Sequence, residues 1–417
     1  MRITVPTADA EVDLSRVDLF DPELYATGDP HPIWHALRRH APAHHQRLAD
    51  GREFWSVTRH ADACRVLADH TEFTSQRGTL LNALGRGDPA GGQMMAATDP
   101  PRHTSMREPL ARELSPHRLN QRRHLLTRAV RQALEPARDG DVWDLAVAAA
   151  GFPMSFTGAL MGVPEADWPR LTRATTMAIA PDDTEFQEGD SHITLVGVHH
   201  ELFDYFSSEV TRRLAEPSDD LIGFLTRMRP DGGPLRHDAI VYNCYSLLLG
   251  ANVTTPHVLT ALVCAFLEHP DEFRRLKADP GLIAPAVEEG LRWSSPANHF
   301  MRYARTDVTI ADQRIRRGTA VAVWLGSANR DETVFANPYR FDIGRRTERH
   351  LAFGYGPHFC VGASLARIAL RMLLTEFVAL VDDIEPAGPV RHLKSNFVAG
   401  ISHLPIRTRR AARPAAT

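Results

Sequence analysis

Apolar residues recur at helical spacing through most of the chain. Four stretches show the pattern clearly: IWHALRRH, ADACRVLADH, the segment from Leu119 to Leu134, and HHELFDYFSSEVTRRLAE. Alternating segments interrupt them at EFWSVT and between Asp307 and Trp324, where Arg317-Gly318 favours the turn of a hairpin. Pro and Gly between residues 78 and 101 indicate a long loop. The pattern therefore predicts a mainly α protein with a small β region.

One long apolar stretch, from Ala239 to Leu267, contains no Asp, Glu, Lys or Arg. It is long enough to span a bilayer, but it carries polar residues such as Asn252 and His257. These residues favour a helix buried in a large folded domain beside a cofactor. The N-terminal segment MRITVPTADAEVDLS lacks the apolar run of a signal peptide. We therefore expect a cytoplasmic protein that does not insert into a membrane.

Composition and charge narrow the class of protein further. The chain has 417 residues, 43% of them apolar, and a formal net charge of −3. The absence of a basic block disfavours nucleic acid as a partner. Because no repeat or linker divides the chain, we expect one monomeric domain over residues 1–417, with residues 1–16 and 408–417 loosely ordered.

Of the four cysteines, Cys360 has unusual neighbours. The other three lie in apolar helical patterns and are typical core residues. A Gly-rich loop precedes Cys360, and an amphipathic helix is predicted from Val361 to Val381. A helix N-terminus stabilises a thiolate, which is the form in which cysteine binds a soft metal. The surrounding glycines indicate that the backbone passes close to a flat, bulky group.

The segment from Phe353 to Gly362, FGYGPHFCVG, resembles the haem-ligand signature F-G-x-G-x-H-x-C-x-G of the cytochrome P450 family at every fixed position. The resemblance extends from about Asp29 to Pro405. It implies a single-domain P450 fold with haem b between a central helix and the helix that follows the cysteine. It makes Cys360 the axial ligand of the iron, with Phe353, Gly354 and Gly362 in the haem-binding loop.

Other family positions are also present. Glu289 and Arg292, in AVEEGLRW, match the E-x-x-R pair of the family, and Arg340, in NPYRF, matches the third member of that buried network. The network shapes the loop that holds the thiolate. The resemblance also assigns four partners to the haem propionates, which are His103, Arg107, Arg302 and His358.

The oxygen site departs from the family pattern A-G-x-[D/E]-T. The resemblance places Ala251, Asn252 and Thr254 there, but Val253 replaces the acid and cannot carry a proton. Pro256 favours a kink just beyond. Two interpretations stay open. Water, Asn252 or a polar group of the substrate delivers protons for ordinary hydroxylation, or the enzyme couples C–C or C–N bonds or closes a ring without inserting oxygen.

The resemblance also implies where the substrate binds. An apolar cavity with a few polar anchors suits a medium-sized natural product with amide or hydroxyl groups. The candidate lining residues are Leu80, Leu81, Leu84, Met94, Asn243, Leu247, Gly250, Asn298, His299, Phe397 and Val398.

We therefore expect a monooxygenase or oxidase of secondary metabolism that uses O2. No flavin or dinucleotide motif follows the haem-binding region, so a separate ferredoxin and ferredoxin reductase would supply the electrons. A catalytically silent haem-binding relative is the alternative, and only Val253 favours it. A basic docking face for the ferredoxin is predicted from Arg107, Arg112, Arg345, Arg346, Arg349 and Arg371.

Overall fold

A computed structural model describes residues 3–6, 12–139, 141–347 and 349–410. Helices dominate it, which confirms the predicted mainly α class. The helices are α1 Glu23–Ala26, α2 Pro30–His40, α3 His60–Ala68, α4 Arg102–Glu113, α5 Pro116–Gln121, α6 Arg123–Ala133, α7 Leu145–Ala150, α8 Phe152–Met161, α9 Trp168–Ile179, α10 Ser191–Ala215, α11 Leu221–Arg227, α12 His237–Asn252, α13 Thr255–Glu268, α14 Pro270–Ala278, α15 Ile283–Ser294, α16 Leu325–Ala328 and α17 Ala363–Leu380.

The strands form small sheets beside the helices. They are β1 Ala43–Arg47, β2 Glu53–Val57, β3 Phe73–Thr74, β4 Val142–Asp144, β5 His299–Ala304, β6 Val308–Ile310, β7 Gln313–Ile315, β8 Ala320–Trp324, β9 Val381–Pro386, β10 Arg391–His392, β11 Ile401–His403 and β12 Pro405–Arg410. The largest sheet has the order β1-β2-β8-β5-β3, and β2 pairs with β8 in parallel. A second sheet has the order β4-β12-β9, while β10-β11 and β6-β7 are two-stranded.

The uncharged stretch forms α12 and α13, which follow each other with a break at Val253 and Thr254. Pro256 lies in the first turn of α13, where its ring and its missing N–H interrupt the preceding helix, as the sequence predicted. The pair from His237 to Glu268 is long and apolar enough to cross a membrane by length and composition, and half of its most apolar window is buried within the fold. It packs on α8, α10 and α15, as a core helix does.

Two sequence predictions about the β region were wrong. The predicted turn at Arg317-Gly318 does not close a hairpin. Instead, Ala311 and Asp312 adopt left-handed φ values of 46° and 65°, which make the tight turn between β6 and β7. The chain then crosses to β8 in the largest sheet. Residues 408–410 are also ordered, because they pair with β9 as the end of β12. The rest of the predicted loose C-terminus, and most of residues 1–11, lie outside the described residues.

The cysteine-bearing loop packs against a cluster formed by the three helices α13, α15 and α17. α13 packs on α15, and α15 packs on α17. Apolar side chains of all three helices, including Phe266, Leu291 and Leu373, belong to one buried cluster. The loop from residue 350 to residue 362 leads into α17 along the edge of this cluster, so the fold presents Cys360 towards the break between α12 and α13.

Candidate functional site

A cavity of about 710 Å³ lies between the α12–α13 break and the cysteine loop. Gly250, Ala251 and Thr254 line one wall, and Cys360 and Gly362 line the opposite wall. Apolar residues from α8 and α17, such as Phe156 and Leu365, close the sides. The cavity has the size and the largely apolar lining of a cofactor or ligand site.

Cys360 lies on the floor of this cavity, three residues before α17 begins. Its backbone N–H donates to the carbonyl of Phe353 over 2.8 Å, so both ends of the loop approach each other. Burial raises the pKa of the thiol, while the Gly362 N–H and the guanidinium groups of Arg107 and Arg367 act to lower it. A metal ion held by this sulfur would supply the positive charge that keeps the thiolate form stable despite burial. Gly354 adopts a φ of 72°, which explains the glycine at this position of the loop.

Four nitrogen-bearing side chains meet at one edge of the cavity: His103, Arg107, Arg302 and His358 all line it. The His103 and His358 rings lie 4.3 Å apart, and His358 Nε2 is 3.2 Å from the Ser75 hydroxyl. Within the described part of the chain, neither arginine forms an ion pair, Arg302 donates to the Met301 carbonyl over 2.9 Å, and His103 Nδ1 is buried without a hydrogen-bond partner.

Burial dominates the electrostatics of this cluster, and the Asp99 carboxylate offsets it only in part. Burial lowers the pKa of Arg302 to about 10 and, with the Arg107 charge, that of His103 to about 4. Burial and the neighbouring Arg302 also lower the pKa of His358. Buried cationic groups are normally paired with negative charge. The two propionates of haem would supply such negative charges, and the single cysteine in the same cavity would supply a ligand for the iron. The residues present therefore fit haem. Among the described residues, no group of three or more His, Cys, Asp or Glu side chains converges as a metal site.

A buried ion network lies behind the loop. Glu289 and Arg292, both fully buried, form a two-pronged pair with both N–O distances at 2.7 Å. The third member is Arg345, whose Nε donates to Glu289 over 3.2 Å. The assignment of Arg340 to this network was wrong. Its side chain is exposed, and only its carbonyl takes part, by accepting from Arg345 over 2.8 Å.

The predicted oxygen-site residues separate into two groups. Ala251 and Thr254 line the cavity, and the Thr254 hydroxyl donates to the Gly250 carbonyl over 3.2 Å. Asn252 faces away, because its amide lies 4.0 Å from the Met154 sulfur and is buried. The proposed proton route through Asn252 is therefore corrected. Val253 lines the cavity and is 4% exposed.

Five of the predicted pocket residues line the cavity: Leu80, Met94, Leu247, Gly250 and Phe397. The other six do not, because the fold uses them elsewhere. Leu81 and Leu84 pack in a core cluster with Trp34 and Phe54, and Val398 packs with Leu393. The remaining three are the buried polar side chains Asn243, Asn298 and His299.

Two of these polar side chains have structural partners. The Asn243 amide accepts from Met95 N–H over 2.9 Å and donates to the Gln93 carbonyl over 3.1 Å, which fixes the 90–97 segment against α12. His299 Nε2 accepts from Leu81 N–H over 3.1 Å. Burial lowers the pKa of His299 to about 4, so this ring is a neutral structural group.

The structure adds lining residues that the sequence prediction missed. A stripe along α12 consists of Tyr242, Tyr245, Ser246 and Leu249, and the facing helix α10 contributes His199. His199 Nε2 lies 3.1 Å from the Tyr245 hydroxyl. The helical spacing of the stripe was visible in the sequence, but nothing there indicated which face of α12 borders a cavity.

The predicted basic face is partly preserved. Arg112, Arg346 and Arg349 are exposed, and their side chains form no ion pair within the ranges that the structure describes. Arg371 is exposed near Glu288 at 3.8 Å. The prediction was wrong for the other two arginines. Arg345 is held in the Glu289 network, and Arg107 lines the cavity.

Comparisons with known proteins agree with this geometry. Residues 282–380 match the family model described as Cytochrome P450. The chain is 35% identical to cytochrome P450 NovI of Streptomyces niveus, over 95% of this chain and 97% of NovI. It is 32% identical to the cyclomarin C epoxidase CymV of Salinispora arenicola, over 87% of this chain and 92% of CymV. Its fold is similar to the crystal structure of P450 OxyD, which is involved in the biosynthesis of vancomycin-type antibiotics. The TM-score is 0.82 at 31% identity, covering 95% of this chain and 100% of OxyD.

Proposed function

Since the chain belongs to the cytochrome P450 family, we propose that it oxidises a medium-sized natural product in secondary metabolism. It is a P450 monooxygenase whose cofactor is haem b with a cysteine thiolate ligand. The epoxidase of cyclomarin C and the P450 of vancomycin-type biosynthesis are relatives that support this substrate class. The observation that carries the proposal is the largely apolar cavity at Cys360, whose lining includes a few polar side chains such as His199 and Tyr245.

We propose the following roles for the residues of this chain. Cys360 ligates the iron, and His103, Arg107, Arg302 and His358 bind the propionates. Phe353, Gly354 and Gly362 shape the loop, and Ala251 and Thr254 border the oxygen site. Haem, when bound, supplies the binding and reductive activation of O2.

The proton supply at Thr254 supports a second candidate reaction. The family acid is absent at Val253, and Asn252 faces away from the cavity. Ordinary hydroxylation then needs water or a polar group of the substrate beside the Thr254 hydroxyl. Bond coupling or ring closure without oxygen insertion depends less on the delivery of protons at Thr254, so we propose it as the alternative reaction.

We further propose a separate ferredoxin and ferredoxin reductase as electron donors to a monomeric cytoplasmic enzyme. An acidic partner is supported by three exposed arginines, Arg112, Arg346 and Arg349. The exposed rings of Tyr355 and Phe359 beside Cys360 add apolar contact area.

Two experiments test the proposal. The reduced carbon monoxide complex of the purified protein should show the red-shifted band of thiolate ligation, and Cys360→Ala should abolish it. A spectral binding screen against natural products, followed by mass analysis of the product, identifies the substrate and shows whether oxygen is inserted. An unchanged spectrum in Cys360→Ala would contradict the ligand assignment.

A further inference from the structure

We infer that Glu288, with His350 and Arg367, is a positioning group that clamps the Cys360 loop from both sides and sets the charge beside the thiolate. Glu288 belongs to α15, His350 lies in the segment before the cysteine, and Arg367 belongs to α17 after it. One carboxylate therefore joins the three segments that carry and support the loop. The inference rests on the proposed role of Cys360 as haem ligand.

The contacts of Glu288 satisfy both of its oxygens. Arg367 Nε donates to Oε1 over 2.8 Å and Nη2 donates to Oε2 over 2.9 Å, which is the two-pronged geometry of a strong charge-assisted pair. His350 Nε2 lies 3.1 Å from Oε2. Because His350 Nδ1 accepts from the Ala352 N–H over 3.2 Å, the ring proton sits on Nε2 and is donated to Glu288.

Arg367 connects this carboxylate to the cysteine. Its guanidinium carbon lies 4.6 Å from the centre of the Phe353 ring, over the ring face. The Phe353 carbonyl accepts the Cys360 N–H over 2.8 Å. If Arg367 moves, Phe353 is the one residue that connects this movement to the backbone of Cys360.

The neighbouring acid has a different task. Glu289 is buried against Arg292 and Arg345, and its contacts hold the segment from 336 to 345. Glu288 points towards α17 and His350 instead. Two consecutive acids on one helix thus serve two networks. Glu288 bonds directly to residues on both sides of the cysteine, whereas the Glu289 network reaches the loop indirectly. Arg292 donates to the Asn329 carbonyl over 2.9 Å, and the Asn329 side chain accepts from the Leu351 N–H over 2.6 Å.

Charge gives the clamp a second effect. The positive Arg367 lies over the ring of Phe353, the residue whose carbonyl accepts the Cys360 N–H, so its charge acts close to the ligand. Glu288 partly neutralises that charge, and its side chain is only 20% exposed, so solvent screens the pair incompletely. Loss of the positive charge should disfavour the more electron-rich ferrous state, and loss of the negative charge should favour it. A merely structural pair would not shift the reduction potential in opposite directions.

The experiment measures two quantities in the haem-loaded protein: the Fe(III)/Fe(II) reduction potential and the rate at which the red-shifted carbon monoxide band is lost in mild denaturant. Arg367→Gln should lower the potential, and Glu288→Gln should raise it. Both should lose the band about tenfold faster than wild type, the size expected for one charge-assisted hydrogen bond. Arg367→Lys keeps the positive charge but loses the two-pronged hydrogen bonding to Glu288. Its reduction potential should stay near that of the wild type, while its carbon monoxide band should be lost faster.

Arg371→Gln is the matched control, because Arg371 lies one turn further along α17, 3.8 Å from Glu288, and forms no cation–π contact with Phe353 in the described structure. It should not change the rate of band loss. Potentials that move in the same direction in Glu288→Gln and Arg367→Gln would overturn the inference, as would an Arg371→Gln variant that loses the band as fast as Arg367→Gln. Absence of the band in the wild-type protein would overturn the proposed function instead.

Discussion

Arg345 gives the most direct test of the buried network, because an exposed arginine five positions earlier serves as its control. Replacing Arg345 by methionine keeps the apolar stem and removes the guanidinium. The change breaks the 3.2 Å bond to Glu289 and three bonds to the carbonyls of Ala336, Asn337 and Arg340. The control is Arg340→Met, whose side chain is exposed and lies outside the network.

The structure sets the expected magnitude. Removing one partner of a buried ion pair costs about 3–5 kcal/mol, because an uncompensated charge stays behind. Glu289 retains Arg292 in a two-pronged pair, so we expect the low end, about 3 kcal/mol, for Arg345→Met. That value corresponds to roughly a 150-fold change in the ratio of folded to unfolded protein. An exposed substitution such as Arg340→Met should stay within about 0.5 kcal/mol.

Urea unfolding of the haem-loaded proteins, followed by far-ultraviolet circular dichroism and by haem absorbance, measures the difference. The Arg345→Met midpoint should fall well below those of wild type and Arg340→Met, and haem should be released at lower urea. Coincident midpoints for the two variants would refute the assignment of Arg345 to the network. A larger loss in Arg340→Met would restore the family position that the sequence suggested.

Three further predictions concern acid stability, proton supply and electron transfer. Burial acts to raise the pKa of Glu288, but its imidazole and guanidinium partners outweigh burial and lower that pKa from 4.5 to about 2. The resulting stability, about 3 kcal/mol, is present above pH 4.5 and is lost as the pH falls towards 2. The unfolding free energies of wild type and Glu288→Gln should therefore converge on acidification, and a constant gap would contradict the pair. Thr254→Ala should reduce product per reduced nicotinamide by less than about tenfold, since a working acid–base relay contributes about 10²–10⁴-fold; a hundredfold loss would show an ordinary relay. Val253→Glu should bind haem and change the product distribution or the release of peroxide. Charge reversal at Arg112 and Arg346 should slow the first electron transfer, and rising salt should weaken docking; turnover that ignores both would exclude this face.

The cysteine loop could be predicted from sequence because its chemistry is local. A thiolate before a helix, with glycine where φ is positive, needs only ten consecutive residues. The predicted helix over 361–381 agrees with α17 to within two residues at each end. The fold class followed from periodicity for the same reason, since helical spacing is a property of short segments.

The network and the pocket were harder, because tertiary contacts decide them. Arg340 was chosen from its motif, but the segment from 336 to 345 folds so that Arg345 reaches both Glu289 and the carbonyls around it. The polar pocket candidates failed for a related reason. Asn243 was predicted to face a substrate, but its amide satisfies backbone groups of the loop across from it. Hydrogen bonds between segments that are distant in sequence leave no periodic signal.

The side chains around Val253 are themselves apolar, so the whole environment of this position differs from one that suits an acid. The Val253 side chain packs with Ile179, Ala180 and Val398 in a small apolar cluster, and the cavity borders its other side. A carboxylate among these neighbours would lose hydration, and burial would raise its pKa. The cluster therefore suits an apolar side chain, and a group that completes a hydrogen-bond path to Thr254 has to approach from the cavity. We accordingly expect the effect of Thr254→Ala to depend on the polar groups of the bound compound. Product yields from substrates with and without a hydroxyl or amide near the oxidised carbon measure this dependence, and equal losses for both would contradict it.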